Sequence, residues 1–470
     1  MALVYALSGL ALLGCDNGNG GTDAGPDPDT GTPPRDGGGA GDDGGTDGGG
    51  TECPAVVTVT GEITADTTWD CPEYVLSGRV FVVNDATLTI AAGTTIYGES
   101  SGSGEAGALI VTRGSRLDAQ GSASAPIVFT SGAAEGARQT GDWAGVVLLG
   151  SATTNDGECV GDGDPGTDPC DAPGYLQDRI EGIEAGDDRA LYGGTDDASD
   201  CGTLRYVRIE YAGRELSPDN ELNGLTVGAC GSGTELSYIQ VHRGKDDGIE
   251  LFGGTASMDH VVISGASDDS LDFDEGWRGN VQFLVVHQFA GIGDNGFEAD
   301  NLGSVEDAEP RSRPVMWNVT MIGTPDNRAM LLREGVQGLM HNFVLSGYGS
   351  PPDVQGRQVD PTTFWPSDLV MEHTFFHDVG DFPVETGTDD DDMGFDEEAA
   401  FTDAARNNTF DVDPMFGSTS ISTPDYVPAN TALNGQGTPP AGFDATATYA
   451  GAFAPGGADW TEGWTAFPVN

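Results

Sequence analysis

Acidic residues recur at regular intervals through the middle of this chain. The segments Asn223-Gly224-Leu225-Thr226-Val227, Asp247-Gly248-Ile249-Glu250-Leu251, Asp269-Ser270-Leu271-Asp272-Phe273 and Asn295-Gly296-Phe297-Glu298-Ala299 align with offsets of 24, 22 and 26 residues. The alignment creates three rows: Asp246, Asp268 and Asp294; Asp247, Asp269 and Asn295; Glu250, Asp272 and Glu298. If each unit is one winding of a coil, neighbours in a row lie about 4.8 Å apart, the spacing of adjacent strands. Carboxylates that close repel one another. They must be protonated, paired with Lys245, Arg243 or Arg278, bonded to turn amides, or bridged by a cation. A hard cation that takes six to eight oxygen ligands suits such clustering, and calcium is the expected cofactor. Its candidate ligands are Asp246, Asp247, Glu250, Asp268, Asp269, Asp272, Asp294 and Glu298. A second reading uses the same residues: Asp and Asn hold turns through side-chain-to-backbone hydrogen bonds, with no metal. Both readings stand at the level of sequence.

The elements that carry these rows are short strands. A second set interleaves with the first: Ile239-Gln240-Val241, Val261-Val262-Ile263, Leu284-Val285-Val286, Val319-Thr320-Met321 and Phe343-Val344-Leu345. A polar turn, a strand, a Gly-rich turn and another strand per 22–26 residues is the pattern of a solenoid. The expected fold is all-β, a right-handed parallel β-helix. Each coil then buries its inward residues against the coils above and below. Ile249, Leu271 and Phe297 are predicted to form one interior stack, and Ile239, Val261 and Leu284 another. The hydrophobic content of 37% fits a narrow core.

The flanks differ in texture. Residues 2–14 are almost wholly apolar but too short to span a bilayer. Residues 16–52 are Gly, Asp, Thr and Pro, cannot bury a core, and are expected to be a disordered linker. The domain reading is a signal peptide over 1–15, the linker over 16–52, the β-helix with loop insertions over 53–410, and an irregular C-terminal cap over 411–470. Residues 153–200 read as an excursion from the coil. Residues 301–314 and 347–368 are Pro-rich insertions, and 380–400 an acidic one. Trp460 and Trp464 are expected to pack in the cap.

Six cysteines follow Cys15. The expected disulfides join neighbours in sequence: Cys53–Cys71, Cys159–Cys170 and Cys201–Cys230. No C-x-x-C occurs, so zinc is not indicated. Disulfides imply an oxidising compartment. With 19 Lys and Arg against 76 Asp and Glu, the formal charge is −57, which repels nucleic acid and anionic membrane surfaces.

Leu12-Leu13-Gly14-Cys15 resembles the bacterial lipobox, in which the Cys thiol is lipidated, although no Lys or Arg precedes the apolar run. The stretches ALYGGTDD (190–197), LRYVRIEYAG (204–213), VHRGKDDGIELFGG (241–254) and DDSLDFDEGWRGN (268–280) resemble a widespread family of bacterial β-helix lipoproteins. The resemblance spans most of 53–470. It implies a pectate-lyase-like β-helix and an exported protein anchored by lipid at the outer membrane or cell surface. It carries no catalytic residues.

Function therefore has two readings. The first is a cell-envelope module for surface binding, adhesion or structure, stabilised by calcium. Its membrane contact is the lipid anchor alone, and its partner is a polysaccharide or a surface protein. The alternative is an enzyme acting on acidic polysaccharide, by analogy of fold alone. As a lyase it would use Lys245 or Arg243 as base, against neighbouring carboxylates that raise a basic group's pKa. As a hydrolase it would pair Asp247 with Asp269, although the coil Gly293-Asp294-Asn295-Gly296 lacks the nearby His of polygalacturonase-type enzymes. His242 and His287 lie two coils apart with Ser264 between them, which argues against a metal pair; they are read as surface-ladder residues. Trp143, Trp277, Trp317 and Trp365 are read as packing residues before sugar platforms.

Overall fold

The computed structural model describes residues 53–100, 105–159, 176–183, 186–217, 220–383 and 391–470. The expected signal peptide, Cys15, the linker over 16–52, Cys170, Asp389 and Asp390 lie outside the described residues.

The β-branched runs pair in parallel into one sheet of 24 strands. Two ladders carry the central coils. The short face stacks Gly145–Leu149, Leu225–Gly228, Ile249–Phe252, Leu271–Asp274, Asn295–Ala299, Arg328–Leu332 and Asp353–Val354. The long face stacks Gly202–Glu210, Glu235–His242, Ser257–Ser264, Asn280–His287, Val315–Ile322 and Gly338–Ser346. Side chains alternate across each strand. Leu225, Ile249, Leu271, Phe297 and Met330 therefore form one inward row, and Ile239, Val261, Leu284, Val319 and Phe343 another; all ten are fully buried. These are the stacks the repeat predicts. No helix among the described residues is long and apolar enough to cross a membrane.

Each long strand bends at one left-handed residue: Tyr206, Tyr238, His260, Phe283, Asn318 and Asn342, with φ between 51° and 60°. Such a conformation costs roughly 1–2 kcal/mol for a residue with a Cβ. Ring contacts join the first four of these positions and offset it there. Ring centroids lie 4.4 Å apart for Tyr206–Tyr238 and Tyr238–His260, and 4.7 Å for His260–Phe283.

The segment 411–470 is irregular, as expected, but lies along the side of the coils. It starts beside the last coils, where Asn342 donates to the Gly437 carbonyl at 2.8 Å. It passes Asn318 at Ala447 and Thr320 at Ala452, then Gln240 at Ala466. Tyr211 donates to the Pro468 carbonyl, and the Asn470 carbonyl accepts from the Gly136 amide. The reason is on the long face itself. Val262, Val285 and Ile322 point outward yet are buried, because Phe453, Trp460 and Phe467 of this strap cover them. Trp464 packs edge-on against Tyr206 and Tyr238. The last coil is instead covered by residues within 391–410: the short helix Glu397–Thr402 brings Phe401 against Trp365, Phe376 and Phe382. Residues 347–368 are also less of an insertion than expected, since Asp353–Val354 continues the short face.

The excursion over 153–200 holds its own antiparallel strands, Glu158–Cys159, Leu176–Arg179 and Leu191–Tyr192. The Cys53–Cys71 and Cys201–Cys230 disulfides are formed, and Cys159 is disulfide-bonded.

Candidate functional site

The short face directs carboxylates outward because its strands alternate strictly. Ile249 and Leu251 point in while Glu250 points out; Leu271 and Phe273 point in while Asp272 and Asp274 point out. Register aligns Glu250 with Asp272 and Asp272 with Glu298. Asp247 and Asp269 occupy the preceding turn. Asp247 Oδ1 accepts from the Asp269 amide at 2.9 Å, and Asp269 Oδ1 accepts from the Asn295 amide at 2.6 Å. These two aspartates act as rungs that tie one coil to the next.

Three groups of carboxylate oxygens lie within 4.8 Å of one another: Asp246, Asp247 and Asp268; Asp247, Glu250 and Asp272; Asp269, Asp272 and Glu298. Shared members join them into one acidic surface over consecutive coils. Asp294 falls outside these groups and is exposed, although its charge acts on Asp268. At the edges, the ladder finds partners. Asn223 donates to Glu250, Asn295 donates to Glu298 Oε2 at 3.2 Å, and Arg333 pairs with Glu298. Arg333 Nε also meets both oxygens of Asp300 at 2.8 Å. The side chain of Asp272, the middle rung, makes no hydrogen bond or ion pair with any described residue; its electrostatic neighbours are Asp274, Glu298, Asp300 and Asp269.

Burial first, and then repulsion between neighbours, raises these acids. Asp247, Glu250, Asp272 and Asp274 are held well above the ordinary carboxylate range. Asp269 is pushed up to about 9 by burial and Glu298. Asp300 reaches about 7 by burial, with Arg333 pulling the other way. Oxygen atoms within 4.8 Å of one another can share an ion at the 2.3–2.6 Å typical of calcium, so the donor set fits a hard cation.

The acidic surface continues past the residues the repeat singles out. Asp156, Asp178 and Glu275 form a further group within 4.8 Å. Glu275 is buried and accepts from the Tyr192 hydroxyl at 2.8 Å and Thr154 at 3.0 Å, and its carboxyl is raised to about 8 by burial. Beside it, Asp274 Oδ1 is buried without a hydrogen-bond partner. Arg333 and Asp300 were legible in principle, since each follows a short-face strand by one position. Asp156 and Asp178 were not, because they arrive on the excursion.

Arg243 and Arg278, two of the basic residues expected near the ladder, are directed elsewhere. The stem of Lys245 lies across Gly141. The Arg243 guanidinium sits 5.2 Å over the Phe289 ring. Arg278 pairs with Asp197 at 2.7 Å. His242 and His287 do flank Ser264 in register, but both are buried beneath the strap rather than on the surface. His242 contacts Ser264 and the Pro468 carbonyl; His287 contacts the Tyr426 hydroxyl. Trp143 and Trp277 are fully buried and donate to backbone carbonyls, so they pack the core. Trp317 stacks on His341, and Trp365 joins the aromatic cover of the last coil.

A family model described as a pectate-lyase-like beta helix domain matches residues 61–465, which includes the strap. No curated protein and no solved structure matches the chain.

Proposed function

The chain belongs to the pectate-lyase-like β-helix family, and from that premise we propose that it is a lipid-anchored surface module that holds calcium on the short face and binds acidic polysaccharide through it. Membership fits a polysaccharide-related or surface role. The finer reading rests on one observation above all: Asp272 lies between Glu250 and Glu298 with no counter-charge of its own. A carboxylate so flanked either keeps its proton or takes a cation. Calcium that leaves ligand positions open can bridge to a sugar carboxylate or a surface protein.

Binding is favoured over cleavage. A lyase needs a base beside the metal, and the Arg243 guanidinium lies over the Phe289 ring. Asp247 and Asp269 are engaged with backbone amides, which suits rungs better than an acid–base pair. Export and anchoring through Cys15 to the outer membrane or cell surface are part of the proposal, and the disulfides support an oxidising location.

The test is calorimetric titration of calcium into the chelator-stripped chain, beside a Glu250→Gln/Asp272→Asn variant. Saturable binding that the variant loses supports the reading. Absence of heat, with a melting temperature indifferent to calcium, sinks it and leaves a ladder of turn residues.

A further inference from the structure

We propose that a cavity at the turn following the short face binds a tetrahedral oxyanion, a sulfate or phosphate group. The cavity is about 420 Å³ and three arginines line it, Arg278, Arg311 and Arg313, with Glu309, Gln337 and Asp368 beside them. The chain has only 19 Lys and Arg against 76 Asp and Glu, so three arginines around one cavity stand out from the acidic molecule.

The coil brings these residues together. The Arg278 amide donates to the Gly254 carbonyl, the Arg313 amide to Trp277, and the Gln337 amide to Ser312. Positions 278, 313 and 337 are thus successive steps on one edge of the solenoid, about 4.8 Å apart. Arg311 enters from the loop before Val315–Ile322, with Nη1 fixed on the Gly335 carbonyl at 2.6 Å. Its Nε is buried and has no hydrogen-bond partner.

Guanidiniums this close repel one another, and carboxylates partly open to water offset them, of which Asp197 is also held by the Thr153 amide at 2.9 Å. Asp197, Glu309 and Asp368 pair with Arg278, Arg311 and Arg313 at 2.7, 3.8 and 2.7 Å, and their side chains are 49, 68 and 36% exposed. Ion pairs that open to water contribute little and rearrange readily. A planar carboxylate is satisfied by one guanidinium fork, whereas guanidiniums from two stretches of backbone, 278 and 311–313, offer donors outside one plane. That arrangement matches four oxygens around sulfur or phosphorus. The site does not depend on calcium.

The experiment is a thermal-shift and calorimetric titration of the full chain in EDTA. Sodium sulfate and sodium phosphate are compared with sodium chloride at matched ionic strength. Saturable stabilisation by sulfate or phosphate, absent with chloride, is expected. Arg278→Gln/Arg313→Gln should weaken it about tenfold or more, as loss of charge-assisted bonds does. Asp368→Asn removes a competing carboxylate and should tighten it; a gain cannot come from misfolding. A parallel arm sets sulfated dextran against uncharged dextran: binding of the sulfated polymer puts the oxyanion on a chain, and binding of the free ion alone makes it a small-anion site. Equal responses to sulfate, phosphate and chloride, or affinities that none of the substitutions moves, would overturn the proposal. The EDTA keeps that failure separate from any failure of calcium binding.

Discussion

Asp269 accepts the backbone amide of Asn295 at 2.6 Å and also the Asn295 side-chain amide at 3.3 Å. One aspartate thereby ties two coils that are 26 residues apart in sequence. Asp272, three residues later, has no such partner. The acidic rows therefore differ in what they do. The turn row holds the coils together, and the strand row sets outward, partly buried carboxyl groups side by side.

Stability should fall with pH above neutrality when calcium is absent. Asp300, Glu275 and Asp269 have folded-state values near 7, 8 and 9, all raised above their unfolded values. A raised carboxyl binds its proton more tightly when folded, so its contribution is full below the unfolded pKa and is lost as pH climbs through the folded one. Between pH 7 and 9 the melting temperature should drop by roughly 5 °C or more, and added calcium should flatten the drop. Scanning calorimetry across that window, with and without EDTA, checks it. A flat profile without metal would contradict the raised acids.

The acid limb has a different origin. Burial lowers His242 to about 3 and His287 and His341 to about 4. A lowered histidine takes its proton only on unfolding, so its own contribution is lost as pH falls below about 6.5, opposing the gain from the raised acids over the same range. His242→Gln should make the melting temperature less sensitive between pH 6.5 and 4. Unchanged sensitivity would mean that the imidazole is protonated in the folded state.

Removing Trp464 should release the strap. The side chain is fully buried, and its carbonyl accepts from Arg208. Trp464→Ala is expected to cost about 3–5 kcal/mol, the usual range for a buried aromatic. Limited proteolysis should then cut within 450–470 while the coils stay intact. Global cleavage instead would show that the strap is required for the whole solenoid.

The Cys201–Cys230 bond closes a 29-residue separation and joins buried positions. Cys201→Ala/Cys230→Ala should lower stability by about 3–4 kcal/mol on the chain-entropy estimate. Denaturant melts with and without reductant test this: reductant should destabilise the parent more than the variant.

The repeat in the sequence determined the coil. A spacing of 22–26 residues, with Ile249, Leu271 and Phe297 at equivalent places, allows one register, because a slip by one residue would turn every inward side chain out. The acidic strand row follows from the same register. The destination of long or distant side chains is decided by what else reaches the surface. Val262 and Val285 interrupt strict alternation with outward apolar residues, a sign that something covers the long face, but only the folded tail shows that Phe453 and Trp460 do so. Arg243 lies four residues before a rung and still rests over Phe289, while Arg333, one coil above Glu298, supplies the cation. Arg278 meets Arg311 and Arg313 only because coils of unequal length return to the same edge. Local alternation and period are encoded in neighbouring residues, whereas partners across loops depend on chain closure, which no single segment carries.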